Sequence, residues 1–285
     1  MKTRVTLTAL LLALASSHAR AQDDPEILFS SPFSWDAAWI GTAILGMGLG
    51  PHTTLIPQDG QDLLDQLRAQ EWDLVIIRWR FAFGRGFEAD LADELEVHVQ
   101  RGGKLMFSMA KIEQNPLLWD TLGIAGTENL KLPFPQIRVP FGGPLTPELR
   151  HPAFSSTFGM NLRDETFGPD YGDRLTPAPG AFPIALFEDD RAPAVIVSRA
   201  GRVIVAGQEW DNWGASSIDA AEDHIRWLLS CPADLDGDGE ATVFDFLEFQ
   251  NLFDASDPRA DVFFDGRLDL FDFLEFFNQF EHACR

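Results

Sequence analysis

The sequence predicts an α/β domain over residues 22–230, with a mostly parallel sheet flanked by helices, followed by a small all-α domain over residues 231–285. Two observations predict this fold class. Between residues 26 and 229, short apolar segments typical of strands alternate with longer segments whose apolar residues recur at helical spacing. Near the C-terminus, an acidic segment that starts at Asp234 recurs 27 residues later, starting at Asp261.

The first strands and helices follow one another closely. Glu26–Ser31 is a short apolar strand, and Trp35–Leu49 carries apolar residues at helical spacing. His52–Pro57 is predicted as a second strand, and Asp59–Gln70 as a helix with three leucines on its inner side. This β-α-β-α order indicates parallel strands, because a parallel pair needs a crossover connection.

The alternation continues into the middle of the domain. Trp72–Ile77 is a strongly apolar strand, Phe87–Arg101 is an amphipathic helix ended by two glycines, and Lys104–Ala110 is the next strand. Residues 125–180 are rich in proline and glycine, and we interpret them as an insertion or a lid.

The last part of the domain predicts a change of strand direction. Phe182–Phe187, Ala194–Ser198 and Arg202–Ala206 are predicted strands, and a final helix covers about Ile218–Leu229. Gly201 lies between two apolar runs, which indicates a hairpin. The sheet is therefore expected to end in antiparallel strands.

Three phrases of this domain resemble a known family: EWDLVIIRW, VQRGGKLMFSMA and GRVIVAGQEWDNWG. Over most of residues 26–229 the chain resembles the class I glutamine amidotransferase-like fold, whose sheet is flavodoxin-like. Enzymes of that family use a cysteine on a sharp strand-to-helix turn, with a histidine and an acid. This chain has no cysteine there and no Gly-x-Ser-x-Gly turn. The resemblance implies a relative without amidotransferase activity, and we assign no catalytic residue.

The carboxyl ends of the strands form the edge at which ligands bind in such sheets. Trp79, Glu209, Trp210 and Asp211 are candidate ligand-binding residues there, since acids hydrogen-bond sugar hydroxyls and indole rings stack on sugars. Glu209 and Asp211 could also act as the acid and base of a polysaccharide hydrolase. In the alternative interpretation, the tryptophans anchor the last helix and the acids are solvated. Other residues expected at this edge are Ser30, Trp35, Arg80, Ser108, Lys111 and Trp213.

The N-terminus predicts export. Residues 1–21 have a positively charged start, an apolar stretch over Val5–Ala15 and the small-x-small sequence Ala19-Arg20-Ala21. These are the features of a signal peptide, so we expect a secreted or cell-surface protein that begins near Gln22. A membrane anchor is the alternative, although the stretch is shorter than a bilayer span requires. No other segment is predicted to cross a membrane.

The charge of the chain makes nucleic acid a poor partner, and we expect none. Hydrophobic residues make up 45% of the chain, which is enough for a packed core, and the formal net charge is −22. Residues 231–285 hold half of that charge, with 14 acidic residues against 3 basic ones. Phosphate groups would be repelled by this segment.

The first acidic loop, DLDGDGEATVFD, has the spacing of a calcium loop. Calcium takes about seven oxygen ligands, which a twelve-residue loop supplies from places 1, 3, 5, 7, 9 and 12. Gly239 lies at the sixth place, where the chain turns sharply. The alternative is an acidic surface loop without a metal. The predicted ligands are Asp234, Asp236, Asp238, the Glu240 carbonyl, Thr242 and Asp245.

The second loop, DVFFDGRLDLFD, has one defect. Its third place is Phe263, whose side chain offers no oxygen, although Asp269 at the ninth place can compensate. We therefore expect weaker calcium binding there, or none. The predicted ligands are Asp261, Asp265, the Arg267 carbonyl, Asp269 and Asp272.

The two cysteines of the chain, Cys231 and Cys284, bracket this repeat. In an exported protein they are expected to form a disulfide, with two unpaired thiols as the alternative. After each loop, phenylalanines recur at helical spacing, which predicts two units of loop and helix that bury a shared face.

The tail is predicted to contain two units, each a loop followed by a helix. This arrangement differs from an ordinary EF-hand, because aspartate stands at the twelfth place of each loop and no helix precedes the first loop. Residues 231–285 resemble the dockerin type I module, in the disulfide-closed form found on exported bacterial proteins. Phe244 and Phe271 depart from that pattern, because they stand where small polar or basic contact residues are usual.

The resemblance implies a tail that tethers a non-catalytic binding domain to a cohesin-like or cell-surface scaffold protein. One alternative is a secreted polysaccharide hydrolase with the same anchor. The other alternative is a small calcium-stabilised domain that covers the end of the protein and binds no partner.

Overall fold

The structure is a computed structural model, and a nine-stranded sheet forms the centre of the part it describes. The described residues are 25–32, 34–49, 52–55, 60–79, 87–130, 137–138, 151–154, 159–160, 172–199, 201–208, 216–231, 233–236, 241–262 and 267–282. The strands are β1 (Ile27–Ser30), β2 (His52–Leu55), β3 (Leu74–Trp79), β4 (Lys104–Met109), β5 (Ile124–Asn129), β6 (Ile137–Arg138), β7 (Gly159–Met160), β8 (Asp173–Pro177), β9 (Phe182–Phe187), β10 (Pro193–Ser198) and β11 (Val203–Ala206). The α-helices are α1 (Ser34–Gly46), α2 (Gly60–Ala69), α3 (Glu88–Gln100), α4 (Trp119–Leu122), α5 (Ser216–Leu229), α6 (Val243–Asp254) and α7 (Leu270–His282).

Five parallel strands make up one half of the large sheet, in the order β2-β1-β3-β4-β11. Every residue of β1, β3 and β4 is buried, as expected for strands covered on both faces. The chain leaves β1 toward β2 and then returns to β3 on the other side, so the strand order reverses at β1. The prediction of a mostly parallel α/β sheet flanked by helices, flavodoxin-like in general arrangement, is confirmed.

The other half of the sheet, β11-β10-β9-β6-β7, is antiparallel. The β10–β11 hairpin turns at Gly201, whose φ of +79° is a conformation that glycine adopts readily. The predicted hairpin and the predicted antiparallel end of the sheet are both confirmed.

Helices cover the sheet on two faces. On one face, α1 and α5 pack over residues such as Phe29 and Ile76, and we call this the α1/α5 face. On the opposite face, α2 and α3 pack over Val75 and Phe107, and we call this the α2/α3 face. Because strand side chains alternate between faces, neighbouring residues of β3 belong to different cores.

Among the predicted boundaries that differ from the structure, two have a clear physical cause. The third strand begins at Leu74, because Trp72 is buried and donates its indole N–H to the Gln66 carbonyl instead of joining the sheet. Helix α1 ends at Gly46, three residues before the predicted end, and the chain then passes through Gly48 with a φ of +71°.

Part of the region expected to be an insertion or a lid has regular structure. Strands β5 and β8 pair antiparallel in a two-stranded sheet, and β8 lies close to β10 of the large sheet. Leu175 of β8 is buried in the core of the α2/α3 face. These strands therefore extend that core. Among the described residues, no helix is long and apolar enough to span a membrane.

Helices α6 and α7 follow the two acidic loops and enclose a third core. The rings of Phe249 and Phe276 stack at a centroid distance of 4.0 Å with an interplanar angle of 3°. Both side chains are fully buried. This stacked pair lies in a core that also contains Leu252 and the partly buried rings of Phe246, Phe253, Phe273 and Phe280.

Replacing Phe276 by alanine should destabilise the tail by about 3 kcal/mol, because it removes a buried ring and leaves a cavity. Phe271→Ala on the same helix is the matched control. Its ring is 65% exposed, so its loss should change the free energy of unfolding by less than about 0.5 kcal/mol. Chemical denaturation of both variants checks this, and equal effects would contradict the packing described above.

Candidate calcium-binding site

Three carboxylates converge at the start of the tail. Single oxygens of Asp234, Asp236 and Asp245 all lie within 4.8 Å of one another. Asp236 is exposed, and Asp245 is fully buried at the first turn of α6. Like charges this close repel one another strongly, so the arrangement favours a bound cation. Hard carboxylate oxygens are the ligands that calcium prefers.

Asp245 holds the first loop closed. Its Oδ1 accepts hydrogen bonds from the backbone N–H groups of Leu235 (2.8 Å) and Asp236 (3.2 Å). Its Oδ2 accepts from the Thr242 N–H (2.7 Å) and lies 3.1 Å from the Thr242 hydroxyl. One side chain therefore joins both ends of the loop.

The same contacts begin helix α6. Thr242 is the N-cap residue, its hydroxyl oxygen accepts from the Phe244 N–H, and Asp245 completes a capping box. Burial would raise the pKa of Asp245, but the N–H donors of Thr242, Asp236 and Leu235 outweigh it and lower that pKa. The carboxylate is therefore ionised at neutral pH, as a metal ligand must be.

The second loop repeats two of these contacts 27 residues later. The Asp269 N–H donates to Oδ2 of Asp272 (2.9 Å), and the Phe271 N–H donates to Oδ1 of Asp269 (2.8 Å). Asp261 and Asp272 are both buried. The likeness between the loops thus extends from residue types to individual hydrogen bonds.

Several predicted residues cannot be placed. Asp238, Glu240, Asp265 and Cys284 lie outside the described residues. Arg267 is described and exposed, and Cys231 is disulfide-bonded. Within the described part of the chain, the first loop alone brings three metal-ligating side chains together. A calcium ion in that loop would be held by Asp234, Asp236 and Asp245.

The candidate ligand-binding residues at the carboxyl edge of the sheet are only partly described. Trp79 is 6% exposed, and its indole N–H donates to the Ser30 hydroxyl (3.1 Å). Its ring packs in the core of the α2/α3 face, so it offers little surface on which a sugar could stack. Glu209, Trp210 and Asp211 lie outside the described residues.

Sequence reasoning missed several buried polar residues at this edge. Arg78, Asp173 and Gln208 are almost fully buried. A sequence signal existed for Arg78, which interrupts the apolar run Leu74–Trp79 at an inward-facing position. Nothing in the sequence marks Asp173 or Gln208 as buried. Asp173 follows a segment of polar composition, and Gln208 lies just beyond the end of a strand.

Comparisons with known proteins leave the family open. No family model and no curated protein matches the chain. Among solved structures, the chain is similar to the receiver domain of the Francisella response regulator 1452, with 19% sequence identity and a TM-score of 0.24. The match covers 33% of this chain and 77% of that one.

Proposed function

We propose that residues 231–285 form a calcium-binding, dockerin-like module that tethers the α/β domain to a cohesin-like or cell-surface scaffold protein outside the cell. The observation that carries this proposal is the convergence of Asp234, Asp236 and Asp245 within 4.8 Å. The repeated hydrogen bonds of the second loop support it. The role of calcium is to neutralise the carboxylates and fix the loops, so that both helices keep their relative positions.

Exposed apolar side chains on both helices of the tail support docking to a protein. Helices α6 and α7 each expose large apolar side chains at equivalent places of the repeat. Exposed apolar patches of this kind mark interaction surfaces in soluble proteins. We call these exposed side chains together the tail face; they are Val243, Phe244 and Leu247 of α6 and Leu270, Phe271, Leu274 and Phe277 of α7.

The tail face also accounts for the departure from the dockerin pattern. Phe244 is 69% exposed and Phe271 is 65% exposed, although both are phenylalanines. An aromatic ring kept in water adds nothing to the core of the tail, whereas it anchors an interface well. The partner is therefore expected to present apolar pockets rather than acidic groups.

Replacing both Phe244 and Phe271 by serine should abolish partner binding without unfolding the tail. The test immobilises residues 22–285 and captures surface proteins in the presence of calcium or of a chelator. We expect one specific protein to bind only with calcium, and the double variant to lose it. Denaturation and calcium titration serve as controls, because both should stay unchanged. If the partner protein is captured equally well in the presence of the chelator, or by the double variant, the result would count against docking.

A further inference from the structure

Helix α7 of the tail has a third side, which belongs neither to the core of the tail nor to the tail face. Its first side carries Phe273, Phe276 and Phe280 into the core, and its second side carries exposed residues of the tail face. Glu275 and Gln279 lie on the third side, about one helical turn apart. The Gln279 side-chain amide donates to Oε1 of Glu275 (3.0 Å). We call these two residues the inner pair.

The inner pair is covered although it takes no part in the core of the tail. Gln279 is 5% exposed, and burial raises the pKa of Glu275. The residue equivalent to Gln279 in the first unit, 27 positions earlier, is Leu252, which packs in the tail core. A buried glutamine at the same place of the second unit indicates a different neighbour for that side of α7.

That neighbour is the β10–β11 hairpin of the α/β domain. A β-carbon placed on Gly201, at the turn of the hairpin, would lie 3.0 Å from the Trp227 ring and 3.8 Å from Nε2 of Gln279. Trp227 belongs to helix α5 and is 8% exposed. Because Gly201 has no side chain, the hairpin, α5 and α7 have room to come together at this point.

Charge favours the same contact. Arg202 follows Gly201, and its guanidinium donates to the carbonyls of Val99 (3.3 Å) and Arg199 (3.2 Å), so it is held in the α/β domain. Burial lowers the pKa of Arg202, whereas the Glu275 carboxylate raises it. Burial raises the pKa of Glu275, whereas the Arg202 guanidinium lowers it. A partly desolvated cation and a partly desolvated carboxylate therefore attract one another across the boundary between the domains.

The connection between the two domains is short. Helix α5 ends at Leu229, and only residues 230–233 separate it from Asp234, the first predicted calcium ligand. The Asp234 N–H donates to the Cys231 carbonyl (3.0 Å), and Ala233 is fully buried in the core of the tail. Domains that move independently are usually joined by exposed, flexible linkers. This connection instead limits how far α7 can move away from the hairpin.

We propose that the tail is docked on its own α/β domain through the inner pair, and that calcium bound to the tail thereby stabilises the α/β domain. Calcium fixes the loops that precede α6 and α7, which holds the inner pair against Gly201 and Trp227. Without calcium, repulsion between the carboxylates loosens the loops, and the hairpin and α5 lose these contacts. The calcium-dependent part rests on the proposed function, whereas the docking contact does not.

Tryptophan fluorescence follows the α/β domain alone, because all eight tryptophans lie between residues 35 and 227 and the tail has none. The test records thermal unfolding of the mature chain through this signal, in calcium and in a chelator. We expect the chelator to lower the melting temperature of the α/β domain by about 2 °C or more. Equal melting temperatures in both buffers, with calcium binding detected by calorimetry, would overturn the proposal.

Gln279→Arg is the informative variant. Arginine preserves the helix, because it is a good helix former and pairs with Glu275 four residues earlier. Its longer side chain overfills the space beside Gly201 and Trp227, and its charge repels Arg202. We expect the calcium affinity to stay unchanged, whereas the chelator should no longer shift the melting temperature seen by tryptophan fluorescence.

Gln250→Arg is the matched control, because it makes the same change at an exposed place of α6. It should keep the full shift, and a Gln279→Arg protein that also keeps it would refute docking through the inner pair. If calorimetry detects no calcium binding, the proposed function and the calcium-dependent part both fail. Docking is then decided without calcium, where Gln279→Arg should melt below the natural protein and Gln250→Arg should not.

Discussion

Replacing Asp245 by alanine is expected to lower the affinity of the first loop for calcium by about 100-fold or more, because the loop loses a buried charged ligand. The same change leaves the N–H groups of Leu235, Asp236 and Thr242 without their acceptor. Losing these hydrogen bonds should destabilise the tail by roughly 3 kcal/mol even in the absence of calcium. Both effects follow from one side chain that joins the ends of the loop.

Calorimetric titration of the mature chain with calcium, followed by denaturation, measures both quantities. The natural protein should show one tight site and at most one weak site, because Phe263 replaces a ligand in the second loop. Asp272→Ala should remove only the weaker site. Asp254→Ala, which deletes an exposed charge on α6, controls for net charge. Two equally tight sites, or a melting temperature unaffected by a chelator, would contradict this interpretation.

Acidification from pH 7 to pH 5 should destabilise the α/β domain by about 4 kcal/mol, which is about 2 kcal/mol for each of two buried histidines. Burial lowers the pKa of His151 to about 3 and that of His224 to about 4. The unfolded chain therefore takes up these protons first, and stability falls as the pH drops below about 6.5. Burial also lowers the pKa of His98, which acts in the same direction.

The structure explains why these histidines stay neutral. His151 lies 4.8 Å from the Trp227 ring, and His224 lies 4.6 Å from the Phe154 ring, both measured between centroids. These apolar neighbours cannot solvate an imidazolium ion. Glu275 of the tail opposes the trend, since burial raises its pKa and its stability contribution grows on acidification.

Urea denaturation at pH 7, 6 and 5 in calcium buffer measures this loss. His151→Phe keeps an aromatic ring at the same place and cannot take up a proton, so it should reduce the pH dependence by about half. The lowered pKa of Asp245 affects stability only at lower pH, because its contribution disappears as the pH falls below about 4. Equal stability at pH 7 and pH 5 would show that the histidines are not buried as described.

The positions of the strands and helices could be predicted from the sequence, because they depend on the residues within each segment and at its ends. Phe182–Phe187 was predicted to the residue, and Lys104–Ala110 to within one residue, since apolar runs and flanking glycines determine such segments locally. The change to antiparallel pairing was readable from Gly201 for the same reason. The order of the strands in the sheet could not be predicted in this way, because it depends on which helices cover which face of the sheet.

The calcium loop was predictable for a different reason. Its ligands lie within twelve consecutive residues, so their spacing is written directly in the sequence. The spacing did not predict the hydrogen bonds of Asp245. Its carboxylate joins the two ends of the loop and also caps the first turn of the helix. That role needs the positions of the backbone N–H groups, which exist only in the folded loop.

The sequence by itself determined the α/β class of the first domain and the acidic repeat of the tail, because both arise from periodicities and spacings between near neighbours. Only the tertiary structure decided that Arg78 and Gln208 are both buried at the same edge of the sheet and that Trp79 packs inward. Residues 78 and 208 are 130 positions apart. They share a face because β3, β4 and β11 run in parallel in one sheet, and no local pattern in the chain encodes that pairing.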